Sequence, residues 1–283
     1  MILGASGMAG HTITLYFKEQ GHDVTAFTVA PFALCEKNIV GDAFNAEELK
    51  AILLGEEFDA VINCIGLLNQ VADNNPSKAV FLNSYLPHFV ADTLKDRKTK
   101  FIHMSTDCVF AGNTGPYFEN SFADGKTYYD RTKALGEVND AKNLTFRNSI
   151  IGPDINENGI GLFNWFMKQE GKINGFTGAM WTGVTTLTLA KAMEQALKED
   201  LCGLYNLVNN ESISKYDLVG LFNKHFRDGK IKIAPSDALQ LDKSLRCKRV
   251  GDFSFQVPSY EQMVIEMREW VDNHKELYSF YNL

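Results

Sequence analysis

Met1-Ile-Leu-Gly4-Ala-Ser-Gly7-Met-Ala-Gly10 opens the chain, and the reading of this stretch decides the fold. Its apolar start runs into a glycine-rich turn, and a helical pattern follows Gly10. A turn of this kind, between a buried strand and a helix, lets backbone N–H groups approach a pyrophosphate. The helix N-terminus adds partial positive charge there. The glycines fall at G-x-x-G-x-x-G spacing rather than the G-x-G-x-x-G of the usual dinucleotide fingerprint. Alone, the segment reads equally as a purely structural turn. Only Met1, Ile2 and Leu3 precede Gly4, whereas a central strand usually has about five or six residues. The first strand is expected to be short, or to continue in residues upstream of Met1.

Outward from this turn the first half alternates between helix and strand patterns. A helix is expected after Gly10, through Gln20, closed by Gly21. Strands are expected at 23–28 and 37–40, then a helix capped by Asn45 through Leu54. A buried strand at 58–65, one long helix from Pro76 to about Lys95 and a strand at 101–105 follow. Alternation of this kind predicts an α/β fold with a doubly wound parallel sheet, Rossmann-like, over residues 1–150. Ligands of such sheets bind beyond the strands' carboxyl ends, where the strand order reverses. After about residue 150 the turns at Gly152-Pro153, Asn158-Gly159, Gly171 and Gly175 break the rhythm. Residues 184–208, with a helix near 187–198 and a strand near 203–208, are expected to return to the main sheet. The rest of 151–283, with a final helix near 260–276, reads as a smaller mixed lobe for substrate.

The 283 residues include 45% hydrophobic side chains, enough for a sizeable core, and carry a formal charge of −7. That charge argues against nucleic acid or an anionic membrane as the main partner. The five cysteines form no C-x-x-C pair, so neither a disulfide framework nor a thiolate zinc site is expected. The apolar start lacks a basic leader, and no apolar run approaches the roughly 20 residues that span a bilayer. The chain reads as cytoplasmic and soluble, and no metal-ligand spacing is apparent.

Three features fall at the ends of expected strands: the glycine turn, Ser105-Thr106-Asp107, and Tyr129-Asp-Arg-Thr-Lys133 at the start of a helix through Glu137. Tyrosine and lysine four apart share one helix face. A free phenol has a pKa near 10 and is a poor acid–base group at neutral pH. A nearby ammonium favours the phenolate and lowers that value. The lysine also has donors for a ribose hydroxyl, and a Ser or Thr hydroxyl polarises the same carbonyl oxygen that tyrosine protonates. These are the parts for hydride transfer with general acid catalysis. A solvated helix face is the simpler account of Tyr129 and Lys133 taken alone, but theirs is the only Tyr-x-x-x-Lys match in the chain.

On these segments the chain resembles the extended short-chain dehydrogenase/reductases, within them the dTDP-4-dehydrorhamnose reductase-like group. The resemblance is carried by residues 4–10, by Val61-Ile-Asn-Cys64, by Ser105-Thr-Asp-Cys-Val-Phe-Ala-Gly112 and by Tyr129-Asp-Arg-Thr-Lys-Ala-Leu-Gly-Glu137. It continues through Arg147-Asn-Ser149 and Trp181-Thr-Gly-Val-Thr185, then thins. It implies catalytic roles for Thr106, Tyr129 and Lys133. It implies a pyrophosphate turn at Gly4, Gly7 and Met8, an adenine contact at Asp42 and Ala43, and a strand end beside the cofactor ribose at Cys64, Ile65 and Gly66. Thr28, Ser105, Tyr129 and Lys133 complete the implied cofactor set, and Asp107, Asn148, Phe176, Trp181 and Arg246 are candidate substrate contacts. Cys108 stands where the group often has tyrosine, and Ile65-Gly66 replaces a more usual small-residue pair. Both departures bear on the substrate rather than the chemistry.

An NAD-specific site usually places Asp or Glu after the second strand. Phe27-Thr28-Val29 has no carboxylate there, and no arginine either. NADP(H) is therefore favoured, with NAD(H) possible. His11 has reach to a phosphate, but a surface histidine is the simpler reading. Asn83 matches an asparagine that helps organise the active site in the resembled group. His103, between apolar neighbours, reads as a satisfied core residue, and Phe176 and Trp181 read equally as packing within the lobe. A lone arginine such as Arg246 is usually at the surface, and Glu47-Glu48 and Glu56-Glu57 read as solvated helix ends. The function expected is NAD(P)H-dependent reduction of a nucleoside-diphosphate 4-keto-6-deoxy sugar, by a possible homodimer. The rivals are an epimerase or dehydratase with tightly held NAD, and a non-catalytic nucleotide-binding subunit of the same fold.

Overall fold

The computed structural model describes residues 1–281. In chain order the first half runs β1 (Ile2–Leu3), α1 (Met8–Glu19), β2 (Thr25–Thr28), β3 (Lys37–Val40), α2 (Ala46–Gly55) and β4 (Ala60–Asn63). It continues with α3 (Asn69–Asn74), α4 (Pro76–Ala79), a π-helical turn at Val80–Tyr85, α5 (Leu86–Thr93), β5 (Lys100–Met104), α6 (Tyr128–Leu135) and β6 (Leu144–Arg147). The second half contains β7 (Ser149–Ile151), α7 (Leu162–Met167), β8 (Lys172–Trp181), β9 (Gly183–Thr185), α8 (Thr186–Lys198) and β10 (Gly203–Asn206). β11 (Ile213–Ser214), α9 (Lys215–Phe226), β12 (Lys232–Asp242) and α10 (Tyr260–Asn273) complete it.

Seven strands form the main sheet in the order β3-β2-β1-β4-β5-β6-β10. Every pairing in it is parallel. The strand order reverses between β1 and β4, so the carboxyl ends of these two strands frame the natural ligand crevice. β10 pairs with β6 at the far edge, so the chain returns to the main sheet after leaving it. A smaller mixed sheet holds β11, β8 and β12, with β11 antiparallel and β12 parallel to β8. β7 and β9 form a separate parallel pair between the two sheets in sequence.

β1 spans Ile2–Leu3 and is paired on both sides, with β2 and β4. Ile62 N–H donates to Met1 O at 2.9 Å, and Cys64 N–H donates to Leu3 O at 2.9 Å. The helix that follows begins at Met8, ahead of the expected start after Gly10. Gly10 is therefore helical, despite glycine's poor propensity. The reason is a close approach: a Cβ at position 10 would lie 2.1 Å from Gly4 O. Gly4 itself has φ +75°, which only glycine adopts freely.

His11 is not at the surface; it is fully buried. Its Nδ1 lies 3.1 Å from Gly7 O, and its Nε2 lies 2.8 Å from the Tyr278 hydroxyl. Burial lowers its pKa to about 4. Tyr281 reaches the opposite wall, where its hydroxyl accepts the Asp154 N–H at 2.9 Å. The last described turn of the chain thus braces both the glycine turn and the 152–161 loop.

The long helix expected over 76–95 is interrupted. Its middle widens into the π turn, which directs Asn83 and Ser84 inward. Asn83 accepts the Leu67 N–H at 2.8 Å and donates to Leu67 O at 3.0 Å and to the Thr132 hydroxyl at 3.1 Å. The Ser84 hydroxyl donates to Thr132 O at 2.8 Å. These bonds fasten the loop after β4 to α6.

Candidate active site

Two adjoining clefts, of about 370 and 250 Å³, open at the carboxyl edge of the main sheet and share Gly7, Cys64, Ile65 and Gly66. Gly7 caps α1 without a side chain that could accept the helix's first amides. Those N–H groups and the positive helix end remain available to an anion at this junction. The residues present therefore fit a dinucleotide pyrophosphate.

The smaller cleft is lined by Gly4, Thr28, Asp42 and Ala43 together with the shared residues. The Thr28 hydroxyl donates to Ala30 O at 2.7 Å and accepts from Asn38 Nδ2 at 2.8 Å. Asp42 is the one charged residue among those lining this cleft. Its Oδ1 accepts the Phe44 N–H at 3.0 Å. No carboxylate stands at the end of β2.

The larger cleft gathers Met8, Ser105, Thr106, Asp107, Tyr129, Lys133 and Asn148. β5 delivers Ser105 and Thr106, and α6 delivers Tyr129 and Lys133 one turn apart. Thr127 starts α6 with a capping box: its hydroxyl accepts the Asp130 N–H, and the Asp130 carboxylate accepts the Thr127 N–H. Asp73 on α3 accepts the Tyr129 N–H at 3.1 Å, so the first turn of α6 is held from outside as well.

The two hydroxyls after β5 have different surroundings. Ser105 Oγ donates to Glu137 Oε1 at 2.6 Å, and Glu137 in turn holds Arg147 through bonds of 2.8 and 2.6 Å. Ser105 is thus engaged in a buried ion-pair network. The Thr106 hydroxyl donates to Asp107 Oδ1 at 3.2 Å and accepts the Cys108 N–H at 3.2 Å. It also lies beside the Tyr129 phenol. Burial pushes the phenol's pKa above its ordinary value, and the Thr106 hydroxyl pulls against that rise.

Lys133 is buried, and burial brings its ammonium down to about 8. Its Nζ donates to Met104 O at 2.6 Å and lies 3.4 Å from His103 Nε2. The expected depression of the Tyr129 pKa by Lys133 is therefore outweighed in this structure, because burial acts on both groups and the lysine is engaged with Met104. Asp107 is buried too, and burial raises its pKa, opposed by the Ser149 hydroxyl that donates to it at 2.7 Å and by the charges of Lys243 and Lys215. Asn148 donates to Ser149 O at 3.1 Å, but its Oδ1 is buried without a partner.

A model of the RmlD substrate binding domain family matches residues 1–280. The chain belongs to this family. Among relatives similar to this member of the family is the dTDP-4-dehydrorhamnose reductase of Escherichia coli strain K12, 27% identical over 246 residues, covering 83% of this chain and 80% of that protein. A probable low-salt glycan biosynthesis reductase of Haloferax volcanii is 31% identical over 140 residues, covering 48% of this chain and 46% of the relative. The chain spans about half the length of several curated relatives it matches. Among solved structures, the dTDP-4-dehydrorhamnose reductase of Bacillus anthracis strain Ames in complex with NADP superposes with a TM-score of 0.78 at 18% identity. That superposition covers 94% of this chain and 96% of the other. At that identity the likeness speaks for a shared fold.

Every cofactor candidate read from the sequence of this family member lines one of the two clefts. Of the substrate candidates, Asp107 and Asn148 line the larger cleft, whereas Phe176, Trp181 and Arg246 line neither. Trp181 is buried at the end of β8, tilted against Tyr260 with ring centroids 5.7 Å apart. Phe176 sits half-buried in mid-strand on β8, and Arg246 donates to Leu245 O at 2.9 Å. Trp181 thus serves the lobe's packing. Sequence reading missed Lys215 and Lys243, which act on Asp107 from the start of α9 and the end of β12. Nothing local distinguishes them from the other surface lysines. Among the described residues, no group of three or more His, Cys, Asp or Glu side chains is placed to hold a metal ion. No described helix is long and apolar enough to cross a membrane.

Proposed function

We propose that the protein is an NAD(P)H-dependent reductase of a nucleoside-diphosphate 4-keto-6-deoxy sugar, working in deoxysugar and cell-surface polysaccharide synthesis. The observation that carries this reading is the meeting of Thr106, Tyr129 and Lys133 in one cleft, beside a glycine turn with a second cleft suited to an adenosine. When bound, a reduced nicotinamide supplies the hydride. Gly4, Gly7 and Met8 hold the pyrophosphate. Asp42 and Ala43 border the adenine, while Lys133 and the strand end at Cys64 border the ribose. Tyr129 gives its phenolic proton to the substrate's carbonyl oxygen, and the Thr106 hydroxyl donates to the same oxygen. Burial suits Tyr129 to this task, since a phenol kept protonated is ready to donate.

Asp107 and Asn148, which line the larger cleft, border the sugar. Residues 151–283, apart from 184–208, supply most of the substrate lobe, and Lys215 and Lys243 are suited to the diphosphate. The absence of a carboxylate on Thr28 and Val29 favours NADPH at least as strongly as NADH. Exposed Val80, Tyr85, Tyr128 and Leu135, on the adjoining π turn and α6, favour a homodimer through that face. The name of the Escherichia coli relative supports the sugar class.

The test uses a panel of dTDP- and UDP-linked 4-keto sugars with 4-deuterated NADPH, analysed by mass spectrometry. Deuterium in the product sugar with stoichiometric loss of NADPH is the expected result. Turnover without net NADPH oxidation, with NAD⁺ that co-purifies, would establish an epimerase instead. No turnover across the panel would favour a binding subunit.

A further inference from the structure

Asn63 ends β4, His103 stands one residue before the end of β5, and the two are register partners across the sheet, both fully buried. The Ile65 N–H donates to Asn63 Oδ1 at 3.0 Å. A backbone donor therefore fixes which end of the Asn63 amide faces the ring: Nδ2 lies 3.2 Å from His103 Nδ1. An amide nitrogen only donates, so Nδ1 must accept. Burial holds His103 well below its ordinary pKa, so the ring is neutral and carries its single proton on Nε2. That nitrogen lies 3.4 Å from Lys133 Nζ. An ammonium has no lone pair to receive the Nε2–H, whereas a neutral amine has one.

We propose that Asn63 and His103 are a positioning pair for Lys133, presenting a fixed N–H to its nitrogen so that the lone pair is oriented and the ammonium form is disfavoured. The other titratable groups around Lys133 are Glu137, just past α6, and Cys64, just past β4, both of which favour its charge. Tyr129 lies one turn away on α6, and His88 on α5 acts on His103. Among these, the imidazole is the group whose donor lies within hydrogen-bond distance of the lysine nitrogen. Its relevance to turnover rests on the reductase reading; the tautomer and the lysine titration do not.

The first experiment is ¹⁵N NMR of the intact protein labelled at histidine, with His103 assigned through His103→Phe. Protonated Nε2 and bare Nδ1 are expected, and a proton on Nδ1 would overturn the proposal. The second is a ¹³Cε-lysine titration of Lys133, expected near 8 in the native protein. Asn63→Asp changes one atom and keeps an acceptor for Ile65 N–H, but it now accepts from Nδ1–H and frees Nε2 to accept from the ammonium. The Lys133 proton affinity should rise about tenfold or more, one pH unit being a factor of ten. The new carboxylate raises it too, so the double variant Asn63→Asp/His103→Phe isolates charge alone and should show a distinctly smaller rise over His103→Phe. Equal rises with and without the ring would refute the proposal. Should Asn63→Asp fail to fold, the histidine tautomer in the native protein still decides.

Discussion

Glu137→Ala tests the buried network that backs the cleft. Glu137 is 10% exposed at its side chain and Arg147 is 3% exposed, with bidentate bonds of 2.6 and 2.8 Å between them. Removing the carboxylate strands a buried guanidinium. Its remaining contacts are long: 3.4 Å to Phe118 O and Glu119 O, 3.5 Å to Asn206 Oδ1, and 5.0 Å to the Phe110 ring centroid. Little compensation is therefore available, and the loss should be about 3–5 kcal/mol. The Ser105 hydroxyl also loses its acceptor, which adds about 1 kcal/mol. At 2–4 °C per kcal/mol for a chain of this size class, the melting temperature should fall by roughly 10–20 °C. Thermal and urea denaturation followed by circular dichroism at pH 7 measure this. The double variant Glu137→Leu/Arg147→Met removes both charges and should recover most of the loss. Because Glu137 favours the charge on Lys133, the single variant should also lower the Lys133 titration midpoint. A Glu137→Ala protein within about 1 kcal/mol of the native one, below the range for a broken buried pair, would refute the reasoning. So would a double variant as unstable as the single.

Tyr129→Phe removes the proton donor but keeps the ring, so turnover should fall by about 10² or more while cofactor affinity holds; steady-state kinetics and nicotinamide fluorescence check both. Lys243→Ala should raise KM for the sugar nucleotide several-fold with a smaller change in kcat, since its charge acts on the cleft from outside the reacting group. Gly10→Ala places a methyl 2.1 Å from Gly4 O, so it should cost about 1–3 kcal/mol and weaken NADPH binding, read by denaturation and by fluorescence titration. His11 has its folded pKa lowered to about 4 against an ordinary 6.5. The unfolded chain therefore binds the proton first, and stability should fall as pH drops from 6.5 through 4, by up to about 3 kcal/mol at this site. A pH series of urea midpoints, shallower in His11→Gln, measures it.

Much of the sheet was legible because strands and caps are local. Lys37–Val40 falls where alternation placed it, and Asn45 caps α2 by accepting the Glu48 N–H at 3.3 Å. The start of α1 was misplaced because glycine's propensity argues against helix, whereas the packing of Gly10 on Gly4 O overrides propensity. The π turn left no trace in the apolar spacing, since an extra residue per turn looks like ordinary scatter over six positions. β8 hid behind Gly175, which reads as a break but sits in mid-strand against Tyr216 of α9. Tyr129 and Lys133 could be paired from spacing alone. The divergence of Ser105 from Thr106 could not, because it depends on Glu137, just past α6, and on Arg147 of β6. Lys215 and Lys243 both act on Asp107 only because the mixed sheet brings them near it, and no sequence spacing encodes that meeting.

The widened turn at Val80–Tyr85 holds one residue more than an α-helix would need. Each residue of an α-helix advances about 100° around the axis. Deleting a single residue here would let the backbone close into uninterrupted helix without breaking the chain's path. The segment upstream would then rotate by about that angle relative to α5, and the Asn83 amide would leave Leu67 and Thr132. Such a shortened protein would keep its helices and its sheet, yet lose the clamp that ties the loop after β4 to the helix bearing Tyr129. Length at this point is therefore a separate variable from helicity: the surplus residue does not disturb the helix so much as aim it.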